Sequence, residues 1–209
     1  MILVGLSLLS VIFIAYLYYL PTWLQNHHSF SSVSCFFRQD CYFHLLWYVG
    51  LSGCCYLIPT LWWHSFLYYF LFGFSYLVAY IDYRYQLISV IHCYTLILLA
   101  LLFSMLQVSA LPIEQAILSF TIAFLGSTLC YFLCYFILGK DSFGLGDTLL
   151  FSALSLLIAP DFLAYFLLIS CIIALMFYVM RNKKSKTLPF APSLIIAALT
   201  IFSSQQFLS

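Results

Sequence analysis

Two aspartates carry the chemistry this sequence could do. Asp82 closes the stretch "LVAYID", and Asp147 stands in "FGLGDTLLF", preceded by Gly144 and Gly146. Two carboxyl groups held close together cannot both ionise comfortably: one keeps its proton while the other accepts, and the pair titrates as a unit. Such a pair activates water. The ionised member takes a proton from the water as it attacks a peptide carbonyl, while the protonated member donates to the carbonyl oxygen, and the pair later delivers the proton taken from water to the leaving amine. No metal is required. Gly144 and Gly146 suit this role, because glycine lets the backbone enter tight or left-handed turns and come close to a bound peptide. Taken singly, each feature has a plainer reading: Asp147 as a helix N-cap, Asp82 as a solvated helix end, and the glycines as a turn before a helix.

Whether the two acids can meet depends on the elements that carry them. The chain has 209 residues, 66% hydrophobic and 6% charged, with a mean hydropathy of +1.11, whereas soluble domains carry about 25% charged residues. So few charges cannot cover a globular surface, and the expected fold is all-α, a polytopic bundle forming one membrane-embedded domain over residues 1–209. A net charge of +1 gives no argument for nucleic acid as a partner. The first twenty residues have neither a basic start nor a small-residue cleavage site, so they read as a first span rather than a removable signal. Apolar runs place about eight transmembrane helices at 2–20, 44–60, 63–81, 87–107, 114–138, 148–160, 161–180 and 190–207, with a tight turn at Pro160-Asp161.

The positive-inside rule tests this map. With the N-terminus outside, the inner segments are 21–43, 82–86, 139–147 and 181–189, and they hold Arg38, Arg84, Lys140, Arg181, Lys183, Lys184 and Lys186. These are all seven Lys and Arg residues of the chain, so removing either of the two doubtful spans, 44–60 or 148–160, would strand some of them on the wrong side. Asp82 then ends the third span and Asp147 opens the sixth. Two crossings lie between them, which returns the chain to the same cytoplasmic face. A carboxylate at the centre of a span costs about 2.5–3.5 kcal/mol, and less near the interface.

With these residues in place the sequence resembles the type IV prepilin peptidases, membrane aspartic proteases of the Gly-x-Gly-Asp kind. "LVAYIDYRYQLIS" is similar to the family's first motif, "FGLGDTLLFSALSLL" to its second, and "KTLPFAPSLIIAAL" to its C-terminal Lys-x-Ile-Pro-Phe-Gly-Pro stretch. The resemblance implies that Asp82 and Asp147 are the catalytic pair and that Gly144 and Gly146 support the backbone beside the substrate. It implies cleavage of the cytoplasmic leader of pilin or pseudopilin precursors, and the compact form resembles the peptidases of Gram-positive competence systems. Ser89, Leu149 and Ala191 depart from the family pattern, which often has Pro, Lys and Gly there.

Many members also carry paired Cys-x-x-Cys knuckles that bind zinc in the first cytoplasmic region. Here Cys35 and Cys41 are further apart, and Cys54 and Cys55 are adjacent, whereas tetrahedral zinc sites favour spacings of about two to four residues. The short loop 21–43 therefore stands in place of a zinc subdomain, and proteolysis is expected to need no cofactor. S-adenosylmethionine would be required only if the methylation seen in many members is retained. Cys93, Cys130, Cys134 and Cys171 sit in apolar runs and read as packing residues. Trp62, Trp63, Tyr68 and Tyr69 read as an interfacial aromatic belt. Two other readings differ in class: a noncatalytic membrane scaffold or transporter component whose aspartates only cap helices, and another Gly-x-Gly-Asp intramembrane protease.

Overall fold

A computed structural model of the chain describes residues 2–27, 38–57, 62–86, 88–109, 111–138, 144–180 and 189–208. Among them are eight α-helices and no strand: α1 (Ile2–His27), α2 (Arg38–Leu57), α3 (Trp62–Tyr85), α4 (Val90–Met105), α5 (Ile113–Leu138), α6 (Leu145–Ser155), α7 (Leu163–Met180) and α8 (Ala191–Leu208). A 3-10 turn at Pro160–Phe162 makes the break expected at Pro160-Asp161. Three segments, Trp63–Tyr85, Ile113–Ile137 and Pro160–Met180, are long and apolar enough to cross a bilayer, and several shorter helices are also apolar.

The ends of the helices depart from the sequence map in two informative places. The segment 21–43, expected as a loop, is helical at both ends, because α1 runs on through Pro21 to His27 and α2 begins at Arg38. Proline removes one donor and usually ends a helix, but apolar helices of membrane proteins tolerate it. At the other doubtful span, α6 starts three residues earlier than expected and stops at Ser155.

The chain forms two compact units, Met1–Leu77 and Val78–Ser209, with the division falling inside α3. In the first, aromatic rings and a few polar pairs tie three helices together. Phe13 of α1 stacks on Tyr48 of α2 with ring centres 5.4 Å apart, and the Tyr48 hydroxyl donates to the Gly73 carbonyl of α3 at 3.1 Å. The absence of a side chain at Gly73 makes this possible, since a Cβ there would lie 3.2 Å from the Tyr48 ring and 3.3 Å from that of Phe13. Ser10 and Tyr69 share a hydrogen bond, and His44 Nδ1 meets the Tyr76 hydroxyl at 2.7 Å. Tyr69 is wholly buried, so it belongs to this core and not to the aromatic belt assigned from the sequence.

The second unit is built around α6. Seven of its residues, Thr148 and Leu150 through Ser155, are buried, with α4, α5 and α8 packed around it and Phe151 stacked on Phe166 of α7 at 4.9 Å. An 11-residue helix is about 16 Å long at 1.5 Å per residue, roughly half the hydrocarbon thickness of a bilayer. Such a helix can remain short because it is wrapped by protein, which satisfies the backbone beyond its ends. The hydroxyl of Ser119 on α5 does this directly, donating to the Ile158 carbonyl at 2.7 Å. Along α5 the buried positions Ala116, Ser119, Ala123 and Ser127 form a stripe of small residues that lets the two backbones approach closely.

The chain direction alternates through this unit. The α4–α5 turn, the turn after α6 and the far end of α8 meet around a cavity of about 170 Å³ lined by Ser109, Leu111, Gln115, Leu157, Ala159, Phe202 and Gln205. The end of α3 and the starts of α6 and α8 therefore gather at the opposite end.

Candidate active site

Asp82 lies in the last turn of α3. The helix stops one turn later, at Gln86, whose N–H bonds back to the Asp82 carbonyl at 2.8 Å and whose φ of 53° is the left-handed conformation that closes many helices. The Asp82 side chain is only 5% exposed. Its Oδ2 accepts a hydrogen bond of 2.9 Å from the backbone N–H of Ala191. That donor is the first residue of α8, one of the amides that a helix leaves without an internal partner. The next residue, Pro192, has no N–H to offer. A carboxylate at such a helix start gains both a charge-assisted bond and the favourable end of the helix dipole.

Asp147 is arranged in a related way on its own helix. Gly144 is the N-cap of α6, with extended backbone at φ −75° and ψ 143°. Asp147 is the third residue of the helix, and its carboxylate lies beside the Gly144 backbone. This is the position from which, in a capping box, a third-position side chain reaches back to the cap. The plain reading of Asp147 as the N-cap is thus corrected, since the cap is Gly144. The left-handed backbone allowed for the glycines is not used at Gly144 either. A Cβ at Gly144 would lie 3.2 Å from Asp147 Oδ2, and one at Gly146 would lie 2.9 Å from the Cβ of Ile88. The glycines serve close approach: Gly146 brings the first turn of α6 against the segment that follows Asp82.

The result is that Asp82 lies within electrostatic reach of Asp147, although 65 positions separate them in the sequence (147 − 82). Cys93, read from sequence as a packing residue, is wholly buried and its thiol sits 3.8 Å from the Gly146 carbonyl as a weak donor. It too is within electrostatic reach of Asp147. The contacts of Ala191 and Cys93 were not legible beforehand. Both depend on which helix ends share one end of the unit, and the one local signal was Pro192 at the start of an apolar run.

Cys54 is exposed and Cys55 buried, as expected for neighbours about 100° apart around a helix. No cluster of three or more metal-ligating side chains occurs among the described residues. His27, His28, Cys35, Cys41, Lys140 and Lys186 have side chains outside the described residues.

Comparison with known proteins bears on the same segment. Residues 69–179 match the type IV leader peptidase family, and the match spans both aspartates and more than half of the chain. The chain belongs to this family. Among its curated relatives is a prepilin leader peptidase/N-methyltransferase of Haemophilus influenzae, 34% identical over 125 residues, which covers 60% of this chain and 54% of the relative. A second, bearing the same name, is from Vibrio cholerae and is 30% identical over 156 residues, covering 71% of this chain and 60% of the relative. The chain thus spans somewhat more than half the length of these type IV leader peptidases. No solved structure matches it significantly. Family membership and the apolar helices together make it an integral membrane protein.

Proposed function

We propose that this chain is a leader peptidase for type IV pilin-like precursors, with Asp82 and Asp147 as its catalytic pair. What supports the reading is that the two carboxyl groups lie within electrostatic reach of each other and that both fall inside the segment matched to the family. The Ala191 N–H holds Asp82, and the Gly144 backbone lies beside Asp147. Water between them loses a proton to the ionised member as it attacks the scissile carbonyl, while the protonated member gives its proton to the carbonyl oxygen; as the tetrahedral intermediate collapses, the proton taken from water passes to the departing amine and the carbonyl-oxygen proton returns to the carboxylate that gave it. Gly144 and Gly146 support the backbone beside the pair, letting the Asp147 carboxylate and the Ile88 segment approach closely.

The finer picture has about eight spans, an outer N-terminus and the acids at the cytoplasmic face. The distribution of Lys and Arg supports it, as does the gathering of the α3 end with the starts of α6 and α8. In that position the pair meets a leader held in the cytoplasm and joined to an apolar helix in lipid. Pseudopilins of a competence system are the proposed precursors. Proteolysis here calls on no cofactor, and any methylation would use S-adenosylmethionine.

Co-expression with a pseudopilin precursor tests the reading. Asp82→Asn and Asp147→Asn are each expected to abolish the shortened product while the chain still inserts into the membrane at its normal level. Normal processing by either variant rejects the assigned pair and favours helix capping alone, as in a noncatalytic scaffold.

A further inference from the structure

We propose that the first turn of α8 is a third part of the active centre, in which the Ala191 N–H holds the Asp82 carboxylate in its working orientation, making Ala191 a positioning residue. The inference rests on the peptidase reading above and concerns the stretch that resembles the family's C-terminal motif, outside residues 69–179 that match the family; it assigns a role to one amide in that stretch.

Three observations carry it. Asp82 is 5% exposed, so a carboxylate there needs a partner from the protein. The partner is the Ala191 amide at 2.9 Å, across 109 positions of sequence. The local sequence then makes this amide a dedicated donor. Pro189 and Pro192 flank Phe190 and Ala191, and neither proline has an N–H. Ser193 turns its hydroxyl back to the Phe190 carbonyl at 2.6 Å. Ala191 is itself wholly buried, so its small side chain lets α8 come close enough for the bond. One carboxylate oxygen of Asp82 is thereby committed to α8, and the other is left for water. A carboxylate tied at one oxygen has lost most of its rotational freedom before substrate arrives, which is how an enzyme prepares a base for one geometry.

Replacing the peptide bond at position 191 by an ester, through an α-hydroxy acid analogue of alanine, deletes the N–H and keeps the side chain. In purified full-length protein cleaving a pseudopilin precursor, kcat is expected to fall about tenfold to a hundredfold, the range for a hydrogen bond to a charged group, with KM unchanged. An ester at Ala198, in the interior of α8 beyond its first turn, is the control and should lower thermal stability without that loss of kcat. A second measurement does not use activity. In a thermal-stability cycle, the ester at 191 should destabilise the wild type by clearly more than it destabilises Asp82→Ala, where the acceptor is already gone and only the weakened Phe190 carbonyl, which accepts from Ser193 and Leu194, still counts. Additive effects in the cycle would overturn the contact. Coupling with an unchanged kcat would reduce it to a helix cap and overturn the positioning role. If the folded wild type cleaves no precursor, the peptidase reading falls and the positioning role with it, while the cycle still decides the contact.

Discussion

At the scale of single residues, the site depends on what is missing at Gly146. Its absent side chain lets the Ile88 segment lie against α6, so Gly146→Ala must displace backbone on one side or the other. Overpacking of this kind costs about 1–3 kcal/mol, and here the strain falls next to Asp147. We expect Gly146→Ala to reduce precursor processing severely, and the double variant Gly146→Ala, Ile88→Gly, which removes the Cβ it would meet, to recover part of it, measured as the fraction of pseudopilin shortened in cells. Gly126 on α5 is the contrast. Nothing lies within 4 Å of the Cβ it would gain, so Gly126→Ala should process normally. Sequence alone supplied the aspartates, because an ionisable side chain in an apolar chain is conspicuous. It could not separate these two glycines by role, because the neighbour that Gly146 admits comes from the connection between α3 and α4, 58 positions away (146 − 88).

At the scale of helices, the stripe Ala116, Ser119, Ala123 and Ser127 seats α5 along α6. Leucine at Ser119 would both overfill the contact and remove the donor to the Ile158 carbonyl. Overpacking of about 1–3 kcal/mol should appear as a clear drop in the melting temperature in detergent. Ser119→Ala loses only a hydrogen bond, worth about 0.6 kcal/mol on average between membrane helices, and should be nearly silent. The positions of the eight helices were largely legible, because apolar runs bounded by charge and proline leave few other interpretations. Their ends were less so. Pro21 signals a stop that the helix overrides, and α6 owes its short length to burial by its neighbours, which no local pattern records. The buried partnership of Tyr69 with Ser10 was hidden for the same reason, since an aromatic residue near a helix start looks the same whether it meets lipid headgroups or another helix.

At the scale of the whole molecule, topology decides whether the acids face the leader. Single cysteines placed at Gln86 and Gln107, in a background stripped of the native eight, give the proposed arrangement a direct check. A membrane-impermeant maleimide should label position 86 from the cytoplasmic side and position 107 from the outside, and the reverse pattern would invert the chain in the bilayer. The bond between Asp82 and Ala191 also has a consequence in time. During synthesis, Asp82 leaves the ribosome 109 residues before its donor, so for most of translation the nascent acid has no α8 to hold it. Under the proposed positioning role, the centre would mature only when α8 docks, and a newly made molecule would pass through membrane insertion before it could be fully armed.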